Sequence, residues 1–286
     1  MPDAKVNGMS PLDLFMSLRG TEIVYIANPG NAGDGFISFA TMELLHAHGV
    51  KFLSRGIDYQ GENKIILFGG GGNLIEGRYL SMATAVRRNA QLNECYVLPQ
   101  SIFGFSDLCR FTEANLTIFC REPISYRGVL AAGGNPERVH LAHDMTFYLS
   151  CFGDRITQDP ARKPSILFAL RTDGEATDDV IPLENKDLSL TLEGADWGNR
   201  KVAFHSSMLV ASQIQQFDVV VTDRLHIAIM SAFLGKKVLL GPNAYYKNRA
   251  VFEHSIKGRF KQVTFFETKA ELLSFCRDPV SDSLRI

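Results

Sequence analysis

Residues Asp218 to Lys247 read DVVVTDRLHIAIMSAFLGKKVLLGPNAYYK, and their pattern decides the fold class. Val219, Val220 and Val221 form a short β-branched run with the composition of a buried strand. Apolar residues at helical spacing follow (Leu225, Ile229, Met230, Phe233, Leu234), and Gly235 closes them as a helix terminator does. Val238 to Leu240 make a second strand that stops at Gly241-Pro242. A strand, a helix and a strand in succession predict a crossover, and crossovers of this kind build parallel sheets. Such sheets bind ligands beyond the carboxyl ends of their strands. The unit therefore sends Thr222, Asp223, Arg224 and His226 to that edge, with Asn243 to Lys247 beside them.

The same grammar extends in both directions. Upstream, strand EIVYIA (Glu22–Ala27) empties into Asn28–Gly35 and a helix runs from Phe36 to His46. KIILF (Lys64–Phe68) runs into four consecutive glycines and Asn73. A helix over Leu80–Leu92, strands CYVLP (Cys95–Pro99) and LTIFC (Leu116–Cys120), a helix over Ser125–Ala132 and a strand VHLAHD continue the alternation. Periodicity fails in the polar, proline-bearing stretch CFGDRITQDPARKP, which marks a boundary. Beyond it come strand SILFAL, an aperiodic acidic stretch from Asp173 to Asn199 that reads as a loop or lid, strand KVAFH and helix SMLVASQIQQF. Strand VTFF and helix KAELLSFC follow the opening unit. The expectation is an α/β chain of two doubly wound, parallel-sheet (Rossmann-like) domains facing across a cleft. The N-terminal domain spans 1–150, a linker 151–164 and the C-terminal domain 165–286, whose polar tail has the length to cross back.

Composition narrows the function. With 45% hydrophobic and 21% charged residues, the 286-residue chain is an ordinary globular protein. A formal charge of −1 argues against a broad nucleic-acid surface but not against a small cationic pocket. Five cysteines without a CxxC pair indicate neither a disulfide framework nor a zinc site, so a reducing, cytoplasmic setting is expected. The first twenty residues contain no apolar stretch of signal-peptide length, and no later stretch approaches a membrane span.

Several residues carry two readings each. The loop Asn28–Gly35 suits an anion at a helix N-terminus or is a tight β-α connection; its spacing is not GxGxxG. Four ordered glycines imply that a ligand or the neighbouring domain approaches their backbone closely. His226 is a candidate general acid or a satisfied core histidine, and Arg224 binds a ligand or pairs with Asp223 or another carboxylate. His46 and His48 are two apart on a helix and make no metal pair. His140, His143 and Asp144 can orient a loop, while Lys201, Lys236, Lys237 and Lys257 read as solvated surface.

Taken in order, NPGNAGD, FGGGGN, CREPIS, HDMTF, VVTDRLH and GPNAYYK resemble the motifs of the polysaccharide pyruvyl transferase family, from about Glu22 to about His254. The resemblance implies a two-domain fold similar to GT-B glycosyltransferases. It also implies transfer of the enolpyruvyl part of phosphoenolpyruvate to a sugar of an exopolysaccharide or cell-surface glycan precursor, usually as a cyclic ketal. No cofactor is implied beyond this donor substrate. The resemblance places Arg121, His226 and Lys247 at the donor. A planar guanidinium fork suits a carboxylate and an ammonium is a point charge, so Arg121 is expected on the carboxylate and His226 and Lys247 on the phosphate. Arg171 and Arg224 join the substrate-binding set. Asn31, Gly33 and Asp34 from one loop and Gly71, Gly72 and Asn73 from the other line the same cleft. His226 is the leading proton donor, with Asp34 and Asp173 behind it. The stretch Asp173–Asn199 shows no signature of the family. A lipid-linked acceptor would require a peripheral contact at the inner face of the plasma membrane. The alternatives are a GT-B glycosyltransferase using a nucleotide sugar and a catalytically inactive glycan-binding relative. Nothing in the sequence specifies the oligomeric state.

Overall fold

In a computed structural model, which describes residues 8–149, 164–177 and 182–277, successive residues of β1 (Glu22–Ile26) feed two different cores. Val24 and Ile26 join one apolar cluster while Ile23 and Tyr25 join another. Side chains of a strand alternate between faces, so a sheet buried on both sides needs apolar residues at every position. The same split recurs at Ile66 and Phe68 against Leu67, and at Cys95 and Val97 against Tyr96 and Leu98. Helices cover both faces, as the doubly wound class requires.

The chain divides into two compact units. Unit 1 contains the chain to Gly30, Asp34–Leu149 and Gly194–Phe204; unit 2 contains Asn31–Gly33, Ser150–Glu193 and the chain from His205. In chain order, unit 1 has α1 (Pro11–Ser17), β1, α2 (Ala32–Ala47), β2 (Lys51–Arg55), β3 (Ile65–Phe68), β4 (Gly71–Ile75), α3 (Ser81–Asn89), β5 (Glu94–Phe103), β6 (Leu116–Cys120), α4 (Pro123–Ala131) and β7 (Val139–Leu141), with Ala32 and Gly33 of α2 falling in unit 2. Its seven-stranded parallel sheet has the order β2-β1-β3-β5-β6-β7, with β4 also paired to β5. Unit 2 adds β8 (Ile166–Ala169), most of α5 (Arg200–Gln215), β9 (Val219–Thr222), α6 (Leu225–Phe233), β10 (Lys237–Leu240), α7 (Lys247–Val251), β11 (Val263–Phe265) and α8 (Lys269–Arg277). Its four-stranded parallel sheet has the order β11-β10-β9-β8, and Leu272 and Leu273 of α8 pack on Val219, Val221 and Leu239.

Some expectations change. KVAFH is not a strand but the first part of α5. Asn199 Oδ1 accepts the amides of Lys201 (3.1 Å) and Val202 (3.4 Å), a side-chain cap that starts the helix earlier. Burial at Ala203, Ser206, Ser207, Val210, Ala211 and Ile214 then follows the helical period. Unit 2 consequently has four strands, and β8 pairs directly with β9. Lys236, read as surface, is buried with Nζ donating to the Gln215 carbonyl at 3.0 Å. The expected linker 151–164, apart from Pro164, and the tail beyond residue 277 lie outside the described residues.

The glycine run also has a specific cause. A Cβ at Gly69 would lie 2.8 Å from the Asn28 amide nitrogen, one at Gly70 2.8 Å from the Pro99 carbonyl, and one at Gly71 2.5 Å from Asn28 Nδ2. The backbone that approaches is therefore unit 1's own, from the β1–α2 loop and β5. Gly71, at φ +138°, also needs a conformation that side chains rarely adopt.

Part of the presumed lid belongs to this core. Trp197, the chain's single tryptophan, is 2% exposed and packs with Ile37, Leu45 and Phe15. Its indole N–H donates to the Gly30 carbonyl at 3.0 Å, and its own carbonyl accepts from Ser38 Oγ at 2.7 Å. A Cβ at Gly35 would sit 2.7 Å from the indole ring. Alanine normally favours a helix over glycine by about 1 kcal/mol. Gly35→Ala should nonetheless destabilise the protein by about 1–3 kcal/mol, the usual cost of overpacking. It should also shift the tryptophan emission to longer wavelength; unchanged emission and stability would show that the indole does not depend on this gap.

Candidate active site

The carboxyl ends of β8, β9 and β10 lie side by side in unit 2, and three cations emerge from them: Arg171, Arg224 and Lys247. The strand ends are stitched together by Thr222. Its hydroxyl donates to the Ala169 carbonyl (2.7 Å) and accepts the Arg224 amide (3.0 Å), while its carbonyl accepts the Gly241 amide (2.8 Å). Arg171 and Arg224 are each 4% exposed. Buried guanidinium groups demand counter-charges, and the aperiodic acidic stretch supplies them.

Asp187 grips Arg224 with both oxygens: Oδ1 receives Nε at 3.0 Å and Oδ2 receives Nη2 at 2.5 Å. Asp187 also accepts the Thr172 amide and the hydroxyls of Thr172 and Ser189. Burial alone would raise its carboxyl, but Arg224 and these hydrogen bonds outweigh burial and hold it below the ordinary value. The carboxylate is brought there because Asn185 pairs with Leu170 through both its amide oxygen and nitrogen, and the Lys186 amide donates to Phe168, laying the segment along β8. Asp173 lies between the two guanidinium groups. Its Oδ2 receives Arg224 Nη1 at 2.6 Å, and its Oδ1 stands 3.0 Å from Arg171 Nε, outside the angle of a hydrogen bond. Glu175 Oε2 receives Arg171 Nη1, Lys247 Nζ at 2.9 Å and Asn243 Nδ2 at 3.3 Å. The ammonium of Lys247 also lies 5.0 Å from the Tyr245 ring centre.

His226 occupies the second position of α6 and is half-buried. Gly33, grouped with unit 2, packs on it: a Cβ there would come within 2.8 Å of His226 Nδ1. Asn31 fixes that glycine, its Oδ1 accepting the Gly33 amide at 2.8 Å. Unit 2 thus brings together Arg171, Arg224, Lys247, His226, Asn31 and Gly33. Arg224 pairs with Asp187 and Asp173, not with Asp223.

The remaining expected site residues lie in unit 1. Asp34 Oδ1 accepts from Asn28 Nδ2 at 3.4 Å and stands against Gly71. Asn73 donates its side-chain amide to the Pro29 carbonyl at 2.5 Å and its backbone amide to Gln100, tying the two loops together; Gly72 precedes it in β4. Arg121 departs from its expected role as an open fork for a carboxylate. It is 1% exposed, with Nη1 on Asp144 Oδ2 at 2.8 Å and Nε on Ser101 Oγ at 2.9 Å. The physical reason is local: Asp144, 0% exposed, caps the turn Met145–Tyr148 and needs a cation inside the same core. Arg121→Ala should cost about 3–5 kcal/mol by stranding that charge. Arg121→Met paired with Asp144→Asn should recover most of it in denaturant melts; equal losses in the single and double variants would refute the pairing.

Sequence reasoning placed Asp223 at the strand edge without giving it a role, and did not select Glu175 or Asp187. Asp223 stands at the end of β9 with 1% exposure; its Oδ1 accepts the Arg171 amide at 2.7 Å and its Oδ2 has no hydrogen-bond partner among the described residues. Burial pushes its carboxyl up to about 6, against lowering by the Arg171 amide and by the charges of Arg171, Lys269 and Arg224. The folded protein therefore binds this proton more tightly than the unfolded chain. The resulting stabilisation is complete below pH 3.8 and lost as pH rises through about 6. That loss amounts to about 3 kcal/mol. Unfolding free energies at about pH 5 and about pH 8 should show Asp223→Asn gaining on the wild type as pH rises. A gap independent of pH would refute a raised carboxyl.

The model of the family described as polysaccharide pyruvyl transferase matches residues 31–240. The chain belongs to that family. A pyruvyl-transfer role, in general terms, follows from membership. The match runs from Asn31 through the whole of β10 and so includes Arg121, Arg171, Arg224 and His226, while Lys247 lies beyond it. A Bacillus subtilis (strain 168) protein named "Putative pyruvyl transferase EpsO" is 27% identical over 290 residues, covering 84% of this chain and 87% of its own. The crystal structure of a functionally uncharacterized protein from Klebsiella pneumoniae subsp. pneumoniae NTUH-K2044 is similar with a TM-score of 0.77 and 33% identity, covering 90% of this chain and 96% of that one. No helix among the described residues is long and apolar enough to cross a membrane.

Proposed function

We propose that the chain transfers the pyruvyl group of phosphoenolpyruvate to a sugar of an exopolysaccharide or cell-surface glycan precursor and closes a pyruvate ketal. One observation carries the reading. Two guanidinium groups from different strand ends converge on a single carboxylate, that of Asp173, with an ammonium and an imidazole on the same sheet edge. Asp173, whose side chain is 39% exposed, is the most open of the three counter-ions and marks a place that accepts a small anion.

In this reading Arg171 and Arg224 take the donor carboxylate, for which a planar fork is suited, and Lys247 and His226 take the phosphate. This assignment gives the carboxylate to residues other than Arg121. A proton is delivered to C3 of the donor, C2 becomes oxocarbenium-like, and a sugar hydroxyl adds to it. Phosphate then leaves with its bonding electrons and a second hydroxyl closes the ketal. Of the two hydroxyl protons released, one replaces the proton given to C3 and the other departs with phosphate. Imidazole can both give and recover a proton near neutral pH, which makes His226 the donor to C3.

Phosphoenolpyruvate at about one hundred times its dissociation constant should raise the melting temperature by about 5 °C or more, whereas uridine diphosphate should not. His226→Ala should keep that shift in large part and lose turnover of phosphoenolpyruvate to phosphate by at least about a hundredfold. Stabilisation by the nucleotide alone would instead favour a glycosyltransferase.

A further inference from the structure

We propose that Glu175 is a positioning residue of the pyruvyl-transfer site, holding Arg171 and Lys247 in the orientation that receives the anionic donor. The inference rests on the donor assignment made above. One oxygen, Oε2, gathers donors from two separate strand ends: Arg171 after β8, and Asn243 and Lys247 after β10. Glu175 is 5% exposed and the Lys247 side chain 13%. A lysine is a point charge on a stem of four flexible bonds, and without a fixed partner it samples many positions.

Glu175 is itself fixed on three sides. Its amide donates to Asp173 Oδ1 at 3.0 Å, its carbonyl accepts the Ala244 amide at 3.0 Å, and the Ala176 amide closes the turn onto the Asp173 carbonyl at 2.9 Å. Main chain and side chain of one residue thus both bind the loop that follows β10. The spacing of Arg171, Asp173 and Glu175, each two residues apart at a strand end, is what lets the two carboxylates turn back on the arginine that precedes them. Three donors converging on one oxygen describe an acceptor, the role of an ionised carboxylate and not of a proton donor. Glu175 therefore acts on the chemistry through its neighbours.

The test is calorimetric titration of the full chain with phosphoenolpyruvate, alongside a thermal melt of each variant. Glu175→Gln keeps the shape and removes the charge, and should weaken donor binding by about tenfold while the protein stays folded. Lys247→Met should weaken it comparably. In the double variant the loss should fall well short of the product of the two, because Glu175 works partly through Lys247. Should Glu175→Gln not fold, Glu175→Asp keeps the charge, shortens the reach and should weaken binding by about threefold. Unchanged affinity, or losses that multiply, would overturn the proposal. Tighter binding in Glu175→Gln would overturn it as well, by showing that the carboxylate occupies the donor's own place. A wild-type protein that gives no binding heat with millimolar phosphoenolpyruvate would instead remove the donor assignment, and this inference with it.

Discussion

Buried positive charge must be neutralised where it stands, and unit 2 is organised by that requirement. Arg171, Arg224 and Lys247 are delivered to one sheet edge by the parallel topology, and two of them are almost wholly removed from water. Desolvating a guanidinium costs several kcal/mol unless charge and hydrogen bonds offset it. Asp173, Glu175 and Asp187 provide both, and the loop between β8 and α5 follows a path that brings them there. The irregular stretch is irregular because its partners are charges on other elements; no sheet or helix period is imposed on it.

Unit 1 answers a different constraint, that of close approach. The β1–α2 loop lies against the glycine run after β3, and three of these glycines leave no space for a Cβ. Gln100 Nε2 donates to the Gly69 carbonyl and its Oε1 accepts the Asn73 amide, so a single side chain spans the run. The strand order changes direction at β1 and β3, where open parallel sheets place their ligand crevice. Asn28 Oδ1, buried at this point, has no hydrogen-bond partner among the described residues.

Much of this was legible in the sequence, and for definite reasons. Continuous apolar runs identify strands buried on both faces, so β1, β3, β5, β6 and β9 were readable, and strand-end logic put Arg224, His226 and Lys247 on one edge. The fate of Arg121 was not readable. An arginine after a strand looks the same whether it faces solvent or an aspartate at position 144, and only the fold brings that aspartate within 2.8 Å. Glu175 and Asp187 were hidden for the same reason, being counter-ions to residues distant in the chain. The start of α5 was misread because Val202-Ala203-Phe204 has strand-like composition, and the Asn199 cap that overrules it carries a signal only at its side chain. Trp197 looked like part of a lid because nothing in the stretch around it announces the core on which it docks.

The alternation along β1, β3 and β5 has a consequence for how this family can vary. Each of these strands places consecutive side chains in two unrelated cores, so adding or deleting a single residue inside one would exchange the occupants of both. Length differences among homologues should therefore accumulate in connections such as the one between β8 and α5, and the strands should tolerate replacement but not insertion. The interior of the sheet works as a fixed ruler against which the variable loops are measured.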